Sequence, residues 1–256
     1  MRSRDADGQS SVSIPSRRLH LGCGPGPQAD GWIHLDGSWN AWFAKHRFLR
    51  AVLKVLRLAP RGALDLVWAR DVMVHNVTKG LPFSADSLSA IYTSHMLEHL
   101  YFEQIARLLH ECYRVLEPGG VLRVVVPDLR AFVLQYVAMI GGAGDLRAAA
   151  DAPLPAEVLN ERLHFRFRYP HAGGIFFRMY SILNDFHLHK WMYDTDSLSV
   201  QFTKAGFIEV GRMPAHQSRI ADIARVEAVG RVDDNGLCVE GIKPADGPSA
   251  SLVLKA

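Results

Sequence analysis

Two short segments near the amino terminus combine residue types that could hold a small ligand. Gly22 and Gly24 directly follow a strand-like run at 19–21, and Asp36 closes a second run that begins at Trp32. Glycines let a ligand approach the bare backbone, and an acid at the end of a neighbouring strand can accept both hydroxyls of a ribose. These residues indicate a nucleoside site. The alternative is a tight β-turn-β unit in which Asp36 is a surface loop acid.

The spacing within this loop argues against a ligand that contains phosphate. The loop reads G-x-G-x-G and ends at Gly26, whereas a dinucleotide fingerprint needs glycine where this chain has Pro27. The G-K-[ST] of a Walker loop is absent as well. Only residues 22–31 separate the two runs, which leaves no room for a long helix whose positive end would hold a pyrophosphate. The pattern favours a phosphate-free ligand.

Strand-like runs recur along the rest of the chain. Several are apolar throughout, as in strands that are buried on both faces. The predicted strands lie at 17–21, 32–35, 72–76, 88–93, 121–126, 207–212 and 237–242.

Helical patterns lie between these strands. Apolar residues at helical spacing predict one helix in YFEQIARLLHECYRVLE, which Pro118-Gly119-Gly120 should end. A second helix is expected over 128–140, and a third runs from a cap at Asp194 or Thr195 to Gly206. The alternation predicts an α/β domain with a mainly parallel sheet, whose ligand should bind beyond the carboxyl ends of the strands.

Four sequence motifs, in the order in which they occur along the chain, resemble those of class I S-adenosylmethionine-dependent methyltransferases. They are LHLGCGPGP, HNVTKGLPFSADSLSAIYTSHMLEHL, LLHECYRVLEPGGVLRVVVPDL and HKWMYDTDSLSVQFTKAGFIEV. The most similar group contains the ubiquinone/menaquinone-type and predicted polysaccharide-associated methyltransferases, and the resemblance covers about 17–130 before it resumes at HKWMYD. It implies a Rossmann-like, seven-stranded, mainly parallel sheet with helices on both faces, an antiparallel last strand and helical insertions as a cap. The implied cofactor is S-adenosyl-L-methionine.

The resemblance also implies which residues bind this cofactor. They lie at the ends of four predicted strands, and they are Gly22, Cys23, Gly24, Asp36, Asn76, Val77, Ser94 and His95. The glycine loop would pack against the amino acid part and Asp36 would bind the ribose. Asn76 and the backbone of Val77 would sit at the adenine edge, and Ser94 and His95 beside the methionine part. The family usually has Asp where this chain has Asn76, but an amide carbonyl can still accept a hydrogen bond from the adenine amino group.

Histidines are the candidates for proton transfer. Methyl transfer from a sulfonium is a direct displacement in which the protein supplies alignment. A hydroxyl acceptor must also lose a proton, and histidine has a suitable pKa for a base. The predicted catalytic residues are His95, His99, His187 and His189. Glu98 could orient His99, although His99 could equally be bonded to backbone at a helix start.

His187 and His189 alternate, so they would share one face of an extended segment. They could bind a metal ion, but no third ligand with suitable spacing accompanies them in the sequence. No metal site is therefore predicted.

A cationic amphipathic helix is predicted over 41–61. Basic residues recur every three to five positions among aromatic and aliphatic ones, at Lys45, Arg50, Lys54, Arg57 and Arg61. Three interpretations remain open: a cap over the substrate cleft, a peripheral contact with an anionic membrane that gives access to a lipid-linked acceptor, or a dimer contact. Nucleic acid is not expected as a partner, because the charge is local and no RNA-binding motif accompanies it.

The bulk composition is that of an ordinary soluble globular protein. The chain has 256 residues, of which 48% are hydrophobic and 21% charged, and its formal charge is +3. We expect a disordered tail at 1–16, one domain at 17–243 with insertions at 38–70 and 141–190, and a C-terminal tail at 244–256. Three distant cysteines and the lack of a long apolar stretch indicate a cytoplasmic protein, with membrane contact only through 41–61.

The expected function is methylation of a hydroxyl on a sugar, a glycan or a small secondary metabolite. Three alternatives remain: N-methylation of a small amine, a non-catalytic scaffold that keeps the fold, and a nicotinamide-dependent oxidoreductase. Asn76 is the best support for the scaffold, and Pro27 argues against the oxidoreductase.

Overall fold

The strands form one seven-stranded sheet. The structure, a computed structural model, describes residues 17–55, 65–142, 154–163, 188–227, 232 and 235–245. The strands are β1 (Arg18–Leu21), β2 (Trp32–Asp36), β3 (Met73–Val74), β4 (Leu88–Ser94), β5 (Leu116–Pro127), β6 (Ile208–Met213) and β7 (Gly236–Ile242). Their order is β3-β2-β1-β4-β5-β7-β6. The first five run parallel, and β7 is antiparallel to both β5 and β6. The predicted Rossmann-like sheet with an antiparallel last strand is confirmed.

The helices of the described residues flank this sheet. They are α1 (Trp39–Lys45), α2 (Arg47–Val55), α3 (Phe102–Val115), α4 (Leu129–Gly142), α5 (Pro155–Arg162) and α6 (Thr195–Lys204). Short 3₁₀ turns occupy Val77–Lys79, Leu97–His99 and Ile223–Arg225. The side chain of Asp194 caps α6 by accepting a hydrogen bond of 2.8 Å from the Ser197 backbone N–H. The three helices predicted between the strands are confirmed.

One predicted helix end is wrong by two residues. Helix α3 ends at Val115, and β5 already begins at Leu116, before Pro118-Gly119-Gly120. The strand register on β4 jumps between the pairs Leu88↔Leu116 and Ala90↔Val121, so the Pro-Gly-Gly segment forms an irregularity inside the strand. Pairing with Lys243 satisfies this segment, since the Gly119 N–H donates to the Lys243 carbonyl oxygen at 2.9 Å. Strand pairing therefore begins before the Pro-Gly-Gly segment and ends the helix earlier than the local signal predicts.

The single amphipathic helix predicted over 41–61 is also wrong. Two helices, α1 and α2, meet at His46, whose φ of −105° and ψ of 68° leave the helical region. The His46 ring stacks on Trp42 with centroids 3.9 Å apart, and its Nδ1 lies 2.8 Å from the Trp42 carbonyl oxygen. A side chain that binds a terminal carbonyl in this way ends a helix. Residues 56–61 lie outside the described part of the chain, in which no helix is long and apolar enough to cross a membrane.

A carboxylate on α3 anchors the loop between β3 and β4. Glu111 accepts hydrogen bonds of 2.8 Å from the Leu81 N–H and from Arg114 Nε. Arg114 in turn donates to the Leu81 carbonyl oxygen at 3.1 Å. This loop carries Asn76, so the Glu111–Arg114 pair helps to fix one side of the predicted cofactor site.

This anchor predicts a pH-dependent stability. The hydrogen bond from Arg114, together with the one from Leu81, lowers the pKa of Glu111 from its ordinary value of 4.5 to about 2. A carboxyl whose pKa is lower in the folded state stabilises the fold above the unfolded pKa, and this contribution is lost as the pH falls through the folded pKa. Glu111→Gln should lower the free energy of unfolding near neutral pH by about 1 kcal/mol, because solvent screens this partly exposed pair. The difference from wild type should shrink between pH 4.5 and about 2.

Urea unfolding at several pH values measures this effect. Glu103→Gln, on the exposed face of the same helix, is the matched control and should leave the pH profile unchanged. An equal loss of stability for Glu111→Gln at neutral and at acidic pH would contradict the anchor.

Candidate active site

The glycine loop turns sharply at the carboxyl end of β1. Gly22 and Gly24 have φ values of +65° and +68°, the left-handed region that favours glycine. The Gly22 and Cys23 N–H groups donate to the Leu35 carbonyl oxygen at 2.8 and 3.3 Å. A Cβ at Gly22 would lie 2.8 Å from Cγ of Met96, the residue that precedes the Leu97–His99 turn after β4. The loop is therefore a backbone elbow between the ends of β2 and β4, and no helix forms in residues 22–31.

Asp36 is buried beside this elbow. Its carboxylate is 8% exposed, and Oδ2 accepts a hydrogen bond of 3.0 Å from the Gly24 N–H. Oδ1 accepts one of 2.8 Å from the Ser38 N–H. Each carboxylate oxygen has a further lone pair that a ribose hydroxyl could use. The surface-acid alternative is wrong, because Asp36 is buried and β1 and β2 run parallel rather than as a hairpin.

Asn76 and Val77 lie across from Asp36, after β3. The His75 N–H donates to the Asp36 carbonyl oxygen at 3.2 Å, which brings the two strand ends together. The Asn76 Oδ1 accepts from the backbone N–H of Thr78 at 3.0 Å and from its hydroxyl at 2.8 Å. This amide oxygen therefore caps the turn that begins at Val77. Its predicted bond to an adenine amino group stays a prediction.

Ser94 and His95 follow at the end of β4. Ser94 is buried, and His95 has a left-handed φ of +51°, which turns the chain towards the Leu97–His99 turn. Such conformations are uncommon outside glycine and often mark functional positions. The His95 Nδ1 lies 3.3 Å from Oε1 of Glu98, which is 1% exposed. This contact was missed by the sequence reasoning, although the i, i+3 spacing of the two residues carried the signal.

His99 and His189 meet although 89 residues lie between them in the chain. Their ring centroids are 5.1 Å apart, and the His99 Nδ1 lies 3.2 Å from the Leu188 carbonyl oxygen. The Glu98 carbonyl oxygen accepts the Lys190 N–H at 2.7 Å, which holds the returning segment against the turn. The structure thus brings His95, His99 and His189 to one place. The fourth predicted histidine, His187, lies outside the described residues.

Tyr193 is a buried residue near the Glu98 carboxylate. Its side chain is fully buried, and burial together with the nearby Glu98 carboxylate raises its pKa. It stays a neutral phenol at physiological pH and is unsuited to act as a base.

The predicted insertion at 38–70 lies beside the glycine loop. Ser38 caps α1 through a hydrogen bond of 3.2 Å to the Ala41 N–H, directly after Asp36. The Gly26 N–H donates to the Val67 carbonyl oxygen at 2.8 Å. These contacts place both ends of the predicted insertion against the elements that are predicted to bind the cofactor. Trp39 and Phe48 expose apolar surface, and Phe48 is 85% exposed; the roles as a cap and in membrane contact stay predictions.

Comparison with known proteins gives one family match and one curated relative. Residues 19–124 match the family described as "Methyltransferase domain". An uncharacterized protein of Saccharomyces cerevisiae is 35% identical over 63 residues, which are 25% of this chain and 7% of that protein. This chain therefore spans only a small part of the curated relative's length.

Solved structures that match part of the chain at low similarity include two methyltransferases of named organisms. An S-adenosylmethionine-dependent methyltransferase from Archaeoglobus fulgidus is 12% identical, with 89% of this chain and 86% of that one covered and a TM-score of 0.42. A possible histamine N-methyltransferase from Thermotoga maritima is 18% identical, with 89% and 81% covered and a TM-score of 0.41.

The matched residues 19–124 are less than half of the chain and resemble the domain of class I methyltransferases, and the sheet has the strand order β3-β2-β1-β4-β5-β7-β6. The cofactor of this class is S-adenosyl-L-methionine, and the side-chain-poor elbow with a buried carboxylate at the next strand end fits a phosphate-free nucleoside.

Proposed function

We propose that this protein is an S-adenosylmethionine-dependent methyltransferase that methylates a hydroxyl on a sugar, a glycan or a small metabolite. One observation carries the proposal. The glycine elbow, the buried carboxylate of Asp36 and the His95–Glu98 pair lie at the carboxyl ends of β1, β2 and β4, which are neighbours in the sheet. Ligands of open α/β sheets bind at this edge.

The cofactor, when bound, supplies an activated methyl group on a sulfonium. The chain supplies position and proton transfer. Asp36 would hold the ribose hydroxyls, and the elbow at Gly22, which packs against the Met96 side chain, would present backbone groups to the amino acid part. Cys23 is buried within that elbow as a small residue.

His95 is the best-placed base. Its Nδ1 faces the buried carboxylate of Glu98 at 3.3 Å. A carboxylate in this position orients the imidazole and stabilises its protonated form, as in hydrolase triads. The proton of an acceptor hydroxyl would then move to Nε2 while the oxygen takes the methyl group. An amine acceptor needs this base less, and a scaffold does not need it at all.

His95→Ala separates these functions. The variant should bind S-adenosylhomocysteine within about tenfold of wild type, while O-methylation should fall by about 10² to 10⁴, the usual contribution of a general base. Isothermal titration calorimetry measures the first quantity. Transfer of radiolabelled methyl groups into a library of hydroxylated and aminated acceptors, followed by mass spectrometry of the products, measures the second.

His110→Ala, at an exposed position on α3, is the control and should change neither value. An N-methylated product that His95→Ala still forms at the wild-type rate would favour the amine alternative. Cofactor binding without any methylated product would favour the scaffold.

A further inference from the structure

Three side chains of types that can bind a metal ion lie close together beside the turn that follows β4. One ligand atom from each of Glu98, His99 and His189 lies within 4.8 Å of the other two. Glu98 and His99 belong to the turn after β4, and His189 arrives with the segment that precedes α6. The cluster therefore depends on the tertiary fold and is not a by-product of local sequence.

One ring nitrogen of His99 is held by a backbone carbonyl, as is common for histidines that bind metals. Its Nδ1 lies 3.2 Å from the Leu188 carbonyl oxygen, so Nδ1–H donates and the lone pair is on Nε2. Histidines that bind metals almost always donate their other ring N–H to a carbonyl or a carboxylate, which fixes the tautomer and the direction of the ligand atom.

Glu98 provides a buried negative charge in the same place. Its side chain is 1% exposed, and burying a carboxylate is costly unless a cation accompanies it. Its neighbour His95 lies 3.3 Å from Oε1 and is itself partly exposed. The ammonium of Lys190 lies 4.4 Å from the ring centre of Tyr101, so it is engaged by that ring.

We propose that Glu98, His99 and His189 bind one divalent transition-metal ion such as zinc. Two imidazoles and one carboxylate form a mixed nitrogen and oxygen set that suits zinc and similar ions, whereas magnesium prefers oxygen ligands alone. Metal–ligand bonds of about 2.0 to 2.2 Å require the ligand atoms to be about 3.4 Å apart in a tetrahedral site. The present atoms lie within 4.8 Å of one another, so the side chains would have to move closer on metal binding.

Three protein ligands leave at least one coordination position for a water molecule or another oxygen. This is the arrangement of catalytic rather than structural zinc sites. A role in the reaction rests on the proposed function: an acceptor hydroxyl bound at that position would lose its proton more readily. The metal would then act together with His95, which contacts the same carboxylate.

The test measures metal binding directly on the full-length protein. Purified protein is treated with a chelator, dialysed, and titrated with Zn²⁺ or Co²⁺, and the bound metal is quantified by mass spectrometry. We expect one ion per chain and a cobalt(II) ligand-field spectrum of low symmetry, with no comparable binding of Mg²⁺. Glu98→Gln and His189→Ala should each weaken Zn²⁺ binding by more than the roughly 10- to 100-fold that outer-shell changes cost.

Two exposed histidines outside the cluster serve as controls. His110→Ala and His216→Ala remove the same side chain elsewhere and should bind Zn²⁺ like wild type. Thermal unfolding shows whether each variant is folded, and His189→Gln replaces His189→Ala if the alanine variant is not.

Two outcomes would overturn the site: a wild-type protein that binds less than a stoichiometric amount of either ion, or folded His189 variants that bind it as tightly as wild type. Titration with S-adenosylhomocysteine separates this proposal from the proposed function. Metal binding without nucleoside binding would refute the methyltransferase, and the reverse would refute the metal site alone.

Discussion

Asp36→Ala is expected to reduce the affinity for S-adenosylhomocysteine by at least about 100-fold, because hydrogen bonds to a charged group contribute about 1.5 to 3 kcal/mol each and a carboxylate can bind both ribose hydroxyls. The substitution also removes the bonds that Oδ2 and Oδ1 accept from the Gly24 and Ser38 N–H groups. The elbow and the start of α1 would lose their common anchor, so the site would be less well formed before the ligand arrives. Isothermal titration calorimetry measures the change.

Two further variants separate ligand binding from loop anchoring. Asp36→Asn keeps one acceptor oxygen but removes the charge, so its affinity should lie between those of wild type and Asp36→Ala. Asp30→Asn changes an exposed acid on the same crossover and should bind as wild type does. If folded Asp36→Ala still bound the nucleoside within threefold of wild type, the ribose would not be held at this strand end.

The features that the sequence predicted correctly are those with local signals. The strands buried on both faces appeared as continuous apolar runs, and the elbow was visible because Gly22 and Gly24 must adopt left-handed φ angles there. Asp36 could be placed because it closes an apolar run. The antiparallel arrangement of β6 and β7 had no local signal and followed only from the resemblance to the methyltransferase class.

The features that the sequence did not predict depend on contacts between distant residues. The helix break at His46 depends on how its ring stacks on Trp42, which an amphipathic pattern does not encode. The sequence offers no third ligand at a suitable spacing for His187 and His189, yet the fold places Glu98 near His189 from 91 positions earlier in the chain. Spacing rules describe only ligands on one element, whereas the sheet brings the end of β4 and the segment before α6 together.

A buried ionic cluster centred on Arg123 also depends on contacts between distant residues. Replacing Arg123 is expected to change the stability more than any other substitution considered. Arg123 on β5 is fully buried and donates to Glu240 Oε1 at 2.9 Å and to both oxygens of Glu227 at 2.9 Å. It also donates to the carbonyl oxygens of Gln217 and Pro214 at 2.9 and 3.3 Å. This one guanidinium therefore ties the segment 214–227 to β5 and β7.

Arg123→Met should lower the free energy of unfolding by about 3 to 5 kcal/mol, because it leaves two buried carboxylates without their cation. That is a large share of the roughly 5 to 15 kcal/mol by which domains are usually stable. Urea unfolding followed by circular dichroism measures the loss, or a lowered melting temperature reports it if the variant is only marginally folded.

Arg219→Met is the matched control for the loss of a cation. Arg219 pairs with the exposed Glu209 at 3.3 Å, and such surface pairs contribute about 0 to 1 kcal/mol. The triple variant Arg123→Met/Glu227→Met/Glu240→Met removes the stranded charges as well and should recover part of the lost stability, since apolar replacement of buried ion pairs is often tolerated. A loss below about 1 kcal/mol for Arg123→Met alone would mean that the two carboxylates are protonated or hydrated once the arginine is gone, and that the cluster does not hold 214–227 against the sheet.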